Sequence, residues 1–148
     1  MIESAIIDGI DVLTMQHGKA NALDIEFCEA LAARFTAARL TDTKAIVLTG
    51  TGRIFSAGVN LKRVSAGGAA YVREFLPYLH RLYEAMFFHP KPVVASINGY
   101  AVAGGCVLAA CAVTRSATVS APAIRWPART ASIACSAATI QIVYATMR

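Results

Sequence analysis

No aspartate or glutamate follows Glu84, so the remainder of this 148-residue chain offers no carboxylate for metal binding or proton transfer. All nine acidic residues lie at or before that position, together with nine of the fourteen basic ones. The net charge of +5 therefore rests on Lys91, Arg115, Arg125, Arg129 and Arg148. These five are scattered, without a basic run or interleaved aromatics, which argues against a nucleic-acid surface. Cysteine is sparse as well. Cys28, Cys106, Cys111 and Cys135 show no Cys-x-x-Cys spacing and no nearby histidine pair, so neither a zinc site nor a disulfide framework is expected. Cys28 and Cys106 fall in apolar helical patterns and read as small core residues. No basic-then-apolar segment opens the chain, because Glu3, Asp8 and Asp11 interrupt it, so no signal peptide is expected. Charge is missing altogether from Pro92 to Val113, a run long enough to suggest a membrane span. Asn98-Gly99 breaks that run with a turn signal and leaves an apolar stretch of core-helix length. A soluble, cytoplasmic protein is expected, one domain by length. Its 56% hydrophobic content points to some exposed apolar surface.

What is present alternates between strand and helix patterns. Ile2 to Ile7 and Asp11 to Met15, separated by Asp8-Gly9, read as a hairpin. After the loop His17 to Ala22, Phe27, Leu31 and Phe35 recur every fourth position and predict a helix from Asp24 to about Leu40. Ala45 to Thr49 is a short buried strand bounded by glycines. Gly50-Thr51-Gly52 starts like a dinucleotide fingerprint but lacks the third glycine and the Lys-Ser/Thr ending of a phosphate loop, so both are set aside. Asn60 is suited to capping a short helix, and Ser65 to Gly68 reads as a loop. A longer helix, with Met and aromatic residues read as core, is predicted from Ala69 to Phe88, kinked at Pro77.

The segment from Lys91 to Cys111 is the most informative. It reads as a buried strand, a tight turn and a helix opened by Gly104 and Gly105. A helix leaves its first N–H groups unpaired and partly positive, and glycine there lets a ligand oxygen approach the backbone. The same pattern also serves a βα unit whose glycines only permit close packing.

Three ordered motifs, His17-Gly18-Lys19-Ala20-Asn21-Ala22-Leu23, Phe55-Ser56-Ala57-Gly58-Val59-Asn60-Leu61-Lys62 and Lys91 to Leu108, resemble the crotonase superfamily, the enoyl-CoA hydratases and isomerases. The resemblance implies an α/β fold, a crotonase-like ββα spiral truncated at the C-terminus, and an acyl-coenzyme A thioester as ligand. It implies an oxyanion hole at the backbone N–H groups of Ala57 and Gly104. Coenzyme A and substrate contacts are implied at Lys19, Ala20, Asn21, Ala22, Leu23, Ser56, Gly58, Asn60, Lys62 and Gly105, with the two lysines as phosphate partners. No metal and no cofactor beyond the coenzyme A of the substrate is implied. A homotrimer or hexamer is implied, as are the absence of nucleic-acid and membrane partners and a place in fatty acid metabolism.

Departures from the family pattern shape the expected activity. Val107 stands where the resemblance implies the first catalytic glutamate, and the second would fall near Pro127 or Ala128. Asn60 replaces the aspartate of its motif. Each missing acid–base group is worth roughly 10²–10⁴ in rate, so little hydration is expected. Glu74, His80 and Glu84 on the long predicted helix are the substitutes within the chain, and also suit an ordinary wet helix face. The alternative is a non-catalytic acyl-CoA-binding or partner-interaction protein of the same fold. Residues 1–112 form the expected core carrying the motifs, and residues 113–148 a divergent or frame-shifted tail. Val113 to Cys135 holds no sustained period, and Ser136 to Ala145 regains helical character.

Overall fold

The computed structural model describes residues 1–113, and the tail expected from residue 113 lies outside them except for Val113 itself. The predicted hairpin forms β1 (Ile2–Ile7) and β2 (Ile10–Met15), paired antiparallel. Asp8 (φ 51°) and Gly9 (φ 79°) make the turn, both in the left-handed region that two-residue hairpin loops require. β2 runs parallel to β4 (Ala45–Thr49), which runs parallel to β7 (Val93–Ser96), giving the sheet order β1-β2-β4-β7.

Parallel neighbours need crossover connections, and these carry the helices. α1 (Ile25–Ala38) joins β2 to β4. Its capping residue is Asp24, whose Oδ1 accepts the Phe27 N–H at 3.1 Å. Phe27, Leu31, Phe35 and Ala38 line the buried face at helical spacing, beside Cys28 and Ala32. The far end of α1 is closed by Lys91, whose ammonium donates to the Ala38 carbonyl at 2.5 Å and the Thr41 carbonyl at 2.6 Å. A cation at carbonyls left over from a helix C-terminus is doubly favourable there. His89, fully buried, bridges the same region, with Nε2 3.0 Å from the Phe35 carbonyl oxygen.

α2 (Leu61–Phe87) differs from expectation in two ways. The segment read as a loop at Ser65 to Gly68 is helical, apart from a break at Gly68 (φ 55°, ψ −148°). That glycine bends the element; Pro77 keeps helical torsions. Arg73 and Pro77 are both exposed, so water can satisfy the carbonyl that loses its partner to the proline. Asn60 caps the element as expected, accepting from the Arg63 N–H at 3.4 Å. Phe75, Leu82 and Met86 turn inward.

Four strands of two or three residues complete the described fold: β3 (Ala22–Leu23), β5 (Ile54–Ser56), β6 (Gly58–Val59) and β8 (Tyr100–Ala101). β3 pairs with β6 and β5 with β8, each parallel. α3 (Gly104–Val113) follows β8 and packs on β7 and α2. The sheet strands β2, β4 and β7 are thus each followed by one or two short strands and a helix, in keeping with the expected ββα units. One core runs through all three helices and the sheet, from Leu13 and Met15 through Phe35 and Phe55 to Leu108. Truncating either phenylalanine to alanine would cost about 3–5 kcal/mol. Cys28 and Cys106 lie in this core, as read from the sequence. Burial, and secondarily the Asp24 charge, pushes the Cys28 thiol up to about 12, so it stays protonated and inert. Among the described residues no helix is long and apolar enough to cross a membrane, and no group of three potential ligands could hold a metal ion.

Candidate active site

The three sequence motifs meet in space. The loop before β3 is shaped by Asn21, which is buried and left-handed (φ 47°). Its Oδ1 accepts the His17 N–H at 2.7 Å, and its Nδ2 donates to the Phe55 carbonyl at 3.0 Å. Ser56 answers from β5, donating its hydroxyl to the Asn21 carbonyl at 2.8 Å and accepting the Gly58 N–H at 3.1 Å. Each side chain spends one bond on joining the first motif to the second and one within its own motif. Ala22 pairs with Gly58, and Leu23 with Val59. Beyond them, Asn60 Nδ2 lies 3.3 Å from Asp24 Oδ2, which also meets His17 Nε2 at 2.9 Å. Burial raises the Asp24 pKa, but these partners and the Phe27 N–H outweigh it and hold the carboxyl below its usual range.

The second motif meets the third through glycines. A Cβ on Gly58 would lie 2.7 Å from the Val102 carbonyl oxygen and 2.8 Å from the Gly104 nitrogen. A Cβ on Gly105 would lie 2.3 Å from the Ser56 carbonyl oxygen. No side chain fits at either place, and the backbones touch because there is none. The Val102 N–H donates to the Ser56 carbonyl at 2.9 Å and ties β5 to the turn before α3. Ala103 makes that turn in the left-handed region (φ 47°), an unfavoured setting for a residue with a Cβ. Its carbonyl accepts the Cys106 N–H at 2.9 Å and the Val107 N–H at 3.3 Å, while Gly105 donates to Val102 at 2.7 Å. Gly104, the first helical residue, makes no backbone N–H bond among the described residues. It is thus the open donor expected at a helix N-terminus.

The Ala57 N–H, expected as the second donor, is instead bonded to the Ala20 carbonyl at 2.9 Å, on the side of the loop before β3. The Asn60 N–H donates to the Leu23 carbonyl at 2.8 Å, so Asn60 carries the bonding with β3. Successive N–H groups alternate along a strand, which leaves Val59 with its N–H on the other edge. Gly58 abuts Gly104, so β6 and the first turn of α3 are neighbouring segments. Val59, which the motif reading did not single out, lies between Gly58 and the helix-capping Asn60.

The remaining residues sort by exposure. Lys19 and Lys62 are exposed and free of ion pairs among the described residues. Leu23 is fully buried with Cδ1 against Gly104, while Ala20 and Ala22 are half-buried. Val107 is 46% exposed in the first turns of α3. Of the substitute acid–base groups, Glu74 is exposed, and His80 and Glu84 face each other at 3.4 Å in solvent. The positions near Pro127 and Ala128 lie outside the described residues.

Residues 5–125 match the family model of enoyl-CoA hydratase/isomerase. The chain belongs to the enoyl-CoA hydratase/isomerase family. The match runs past the boundary at residue 112 suggested by the sequence pattern. A Thermus thermophilus protein assigned as an enoyl-CoA hydratase is 47% identical over 69 residues, which is 45% of this chain and 27% of that protein. The rat mitochondrial enoyl-CoA hydratase domain-containing protein 3 is 32% identical over 106 residues, 70% of this chain and 35% of the relative. The crystal structure of an enoyl-CoA hydratase from Bacillus anthracis superposes with a TM-score of 0.71 at 27% identity, covering 75% of this chain and 45% of that one. The family member described here thus spans under half the length of these relatives.

Proposed function

We propose that this family member binds an acyl-CoA thioester and receives its carbonyl oxygen between the N–H groups of Val59 and Gly104. The observation that supports the reading is the glycine-mediated contact of β6 with the first turn of α3, where the N-terminal amide of the helix lies. A thioester oxygen gains negative charge when a proton leaves its α-carbon or a nucleophile adds at its β-carbon. Fixed donors then stabilise the enolate without reorganising, and loss of one such donor costs about 10²–10³ in rate in other enzymes. The loop from Lys19 to Leu23 adjoins the donor strand through β3 and supplies the flank for the coenzyme, with Lys19 and Lys62 available to its phosphates. Asn21, Ser56, Asn60, Gly58 and Gly105 act by shaping the site. Cytoplasmic fatty-acid-type chemistry and a homo-oligomeric assembly belong to the same proposal, by extension from the family.

Val107 favours the second reading, a binding module without turnover. A valine transfers no proton, and Glu74, His80 and Glu84 are all exposed on α2. Two measurements separate the readings: hydration of crotonyl-CoA, and calorimetric titration with an acyl-CoA beside the same acyl group on a short thiol. Turnover supports the enzyme; tight binding of the acyl-CoA without turnover supports the module. Equal affinity for the short thioester would refute recognition of the coenzyme, and no binding of either would overturn the site.

A further inference from the structure

We propose that β1 is a self-association strand, whose outer edge pairs antiparallel with the same edge of a second copy about a two-fold axis at Ser4. None of its residues takes part in the candidate active site, so the inference stands independently of the proposed function. β1 closes one side of the four-stranded sheet and has no second neighbour among the described residues. The hairpin decides which of its backbone groups face outward. The Gln16 N–H donates to the Met1 carbonyl at 2.8 Å, which sets Met1 among the residues bonded toward β2. Bonding alternates along an antiparallel strand, so Glu3, Ala5 and Ile7 also bond inward, while Ile2, Ser4 and Ile6 turn their N–H and C=O groups outward. Soluble proteins blunt such edges with lysine, proline or a bulge. β1 has none of these. Its only charge is Glu3, its register with β2 runs without a shift, and Ile6 and Ile7 are 66% and 49% exposed.

The residue order of the strand selects a second copy as the occupant. With the axis at Ser4, Ile2 of one copy faces Ile6 of the other, Ser4 faces Ser4, and Glu3 faces Ala5. The outward groups of Ile2, Ser4 and Ile6 then meet in hydrogen-bonded pairs, and no like charges stand opposite each other. Ile2 already packs against the core, so the exposed Ile6 of the second copy gains an apolar neighbour beside it. Neighbouring registers lack this match. Moving the axis to Glu3 sets two carboxylates directly opposite, and moving it to Ala5 sets Ile2 against the turn residue Asp8. α3, the last described element, packs on β7 at the opposite edge of the sheet, so the chain continues from the side away from β1. The contact is two-fold and self-complementary, and so differs from the three-fold contact of a trimer.

The test is sedimentation velocity of the full chain between about 1 and 300 μM, the range suited to the small interface that one strand edge provides. The unaltered protein shows a reversible equilibrium that includes a dimer step. Ile6→Lys, a change at an exposed side chain, weakens that step by about tenfold or more, because each copy then sets a lysine opposite Ile2. Leu40→Lys makes the same charge change at a residue that is 91% exposed away from β1, and leaves the step unchanged. Oxidative crosslinking reads the register, with the unaltered chain as the baseline for its own cysteines. Ser4→Cys gains a disulfide-linked dimer, since the two Cα atoms at the axis lie about 5.5 Å apart. Ile7→Cys gains none, because Ile7 and its copy lie at opposite ends of the seam. A chain that stays monomeric throughout overturns the proposal, and so does a dimer that Ile6→Lys leaves intact. Equal weakening by Leu40→Lys, or equal crosslinking at positions 4 and 7, assigns the association to unspecific apolar contact and overturns it as well.

Discussion

Replacing Gly58 by alanine tests whether the backbone contact at the centre of the site is as tight as described. Gly58 has φ 80°, where an L-residue is disfavoured by roughly 1–2 kcal/mol. The new methyl would also lie 2.7 Å from the Val102 oxygen, 2.8 Å from the Gly104 nitrogen and 3.2 Å from the Ala103 Cβ. Two of these are backbone atoms in a turn tied to Ser56, so they cannot swing aside as a flexible side chain would. Overpacking of this kind costs about 1–3 kcal/mol. The total, about 2–5 kcal/mol, is a large share of the roughly 5–15 kcal/mol typical of a folded domain. Gly18→Ala is the internal control: it has φ 57° but nothing within 4 Å of an added Cβ, so only the torsional cost applies. Both changes reduce unfolded-state entropy alike. Urea unfolding followed by far-ultraviolet circular dichroism should therefore place Gly58→Ala below Gly18→Ala by about 1–3 kcal/mol, at unchanged denaturant dependence. Two variants of equal stability would refute the close approach of β6 to the α3 turn.

Other expectations concern pH and chemistry. The folded-state pKa of Asp24 is depressed, so its contribution is present above the unfolded value near 3.9 and is lost as pH falls through the folded value. Asp24→Asn keeps a capping side chain and should flatten the stability profile below about pH 4; an unchanged acid limb in urea titrations would contradict this. Burial, opposed by bonds to the Lys91 and Phe35 carbonyls, lowers the His89 pKa. Its neutral form is favoured in the fold, and stability should decline as pH falls below the unfolded value of about 6.5. His89→Gln should remove that decline, read from midpoints between pH 7 and 4.5; a slope that persists would assign it to another group. Val107→Glu restores one carboxylate to α3 and should raise crotonyl-CoA hydration by less than about 10⁴. A larger gain in a coupled assay would mean that a second acid–base group is already in place.

The elements that carry a period were legible in the sequence. The four-residue spacing of Phe27, Leu31 and Phe35 located α1, and the apolar run of residues 45–48, bounded by Thr49 and Gly50, located β4. Two-residue strands such as β3 and β6 carry no period at all, and their pairing is decided by side chains such as Asn21 and Ser56, far apart in sequence. The bend in α2 was assigned to Pro77 because proline is the stronger local breaker. The structure bends at Gly68, where the absence of a Cβ permits a torsion the helix does not allow. The place of Gly104 at the start of α3 was legible because helix N-termini expose N–H groups by construction. The bonding of the Ala57 N–H was not, since which N–H of a strand is used depends on the neighbour it pairs with, here Ala20.

The shortness of those ladders bears on how the site meets its ligand. β2 and β4 are paired through five residue positions, whereas β3 and β6 are paired through two. Local opening is least costly where few backbone bonds must break together. Amide hydrogens around Gly58 and Tyr100 should therefore exchange with solvent sooner than those of Leu13 or Leu48. A thioester bridging β6 and α3 would act as an extra crosslink across this weakest seam, so occupancy would be visible as slowed exchange there while the main sheet stays unchanged.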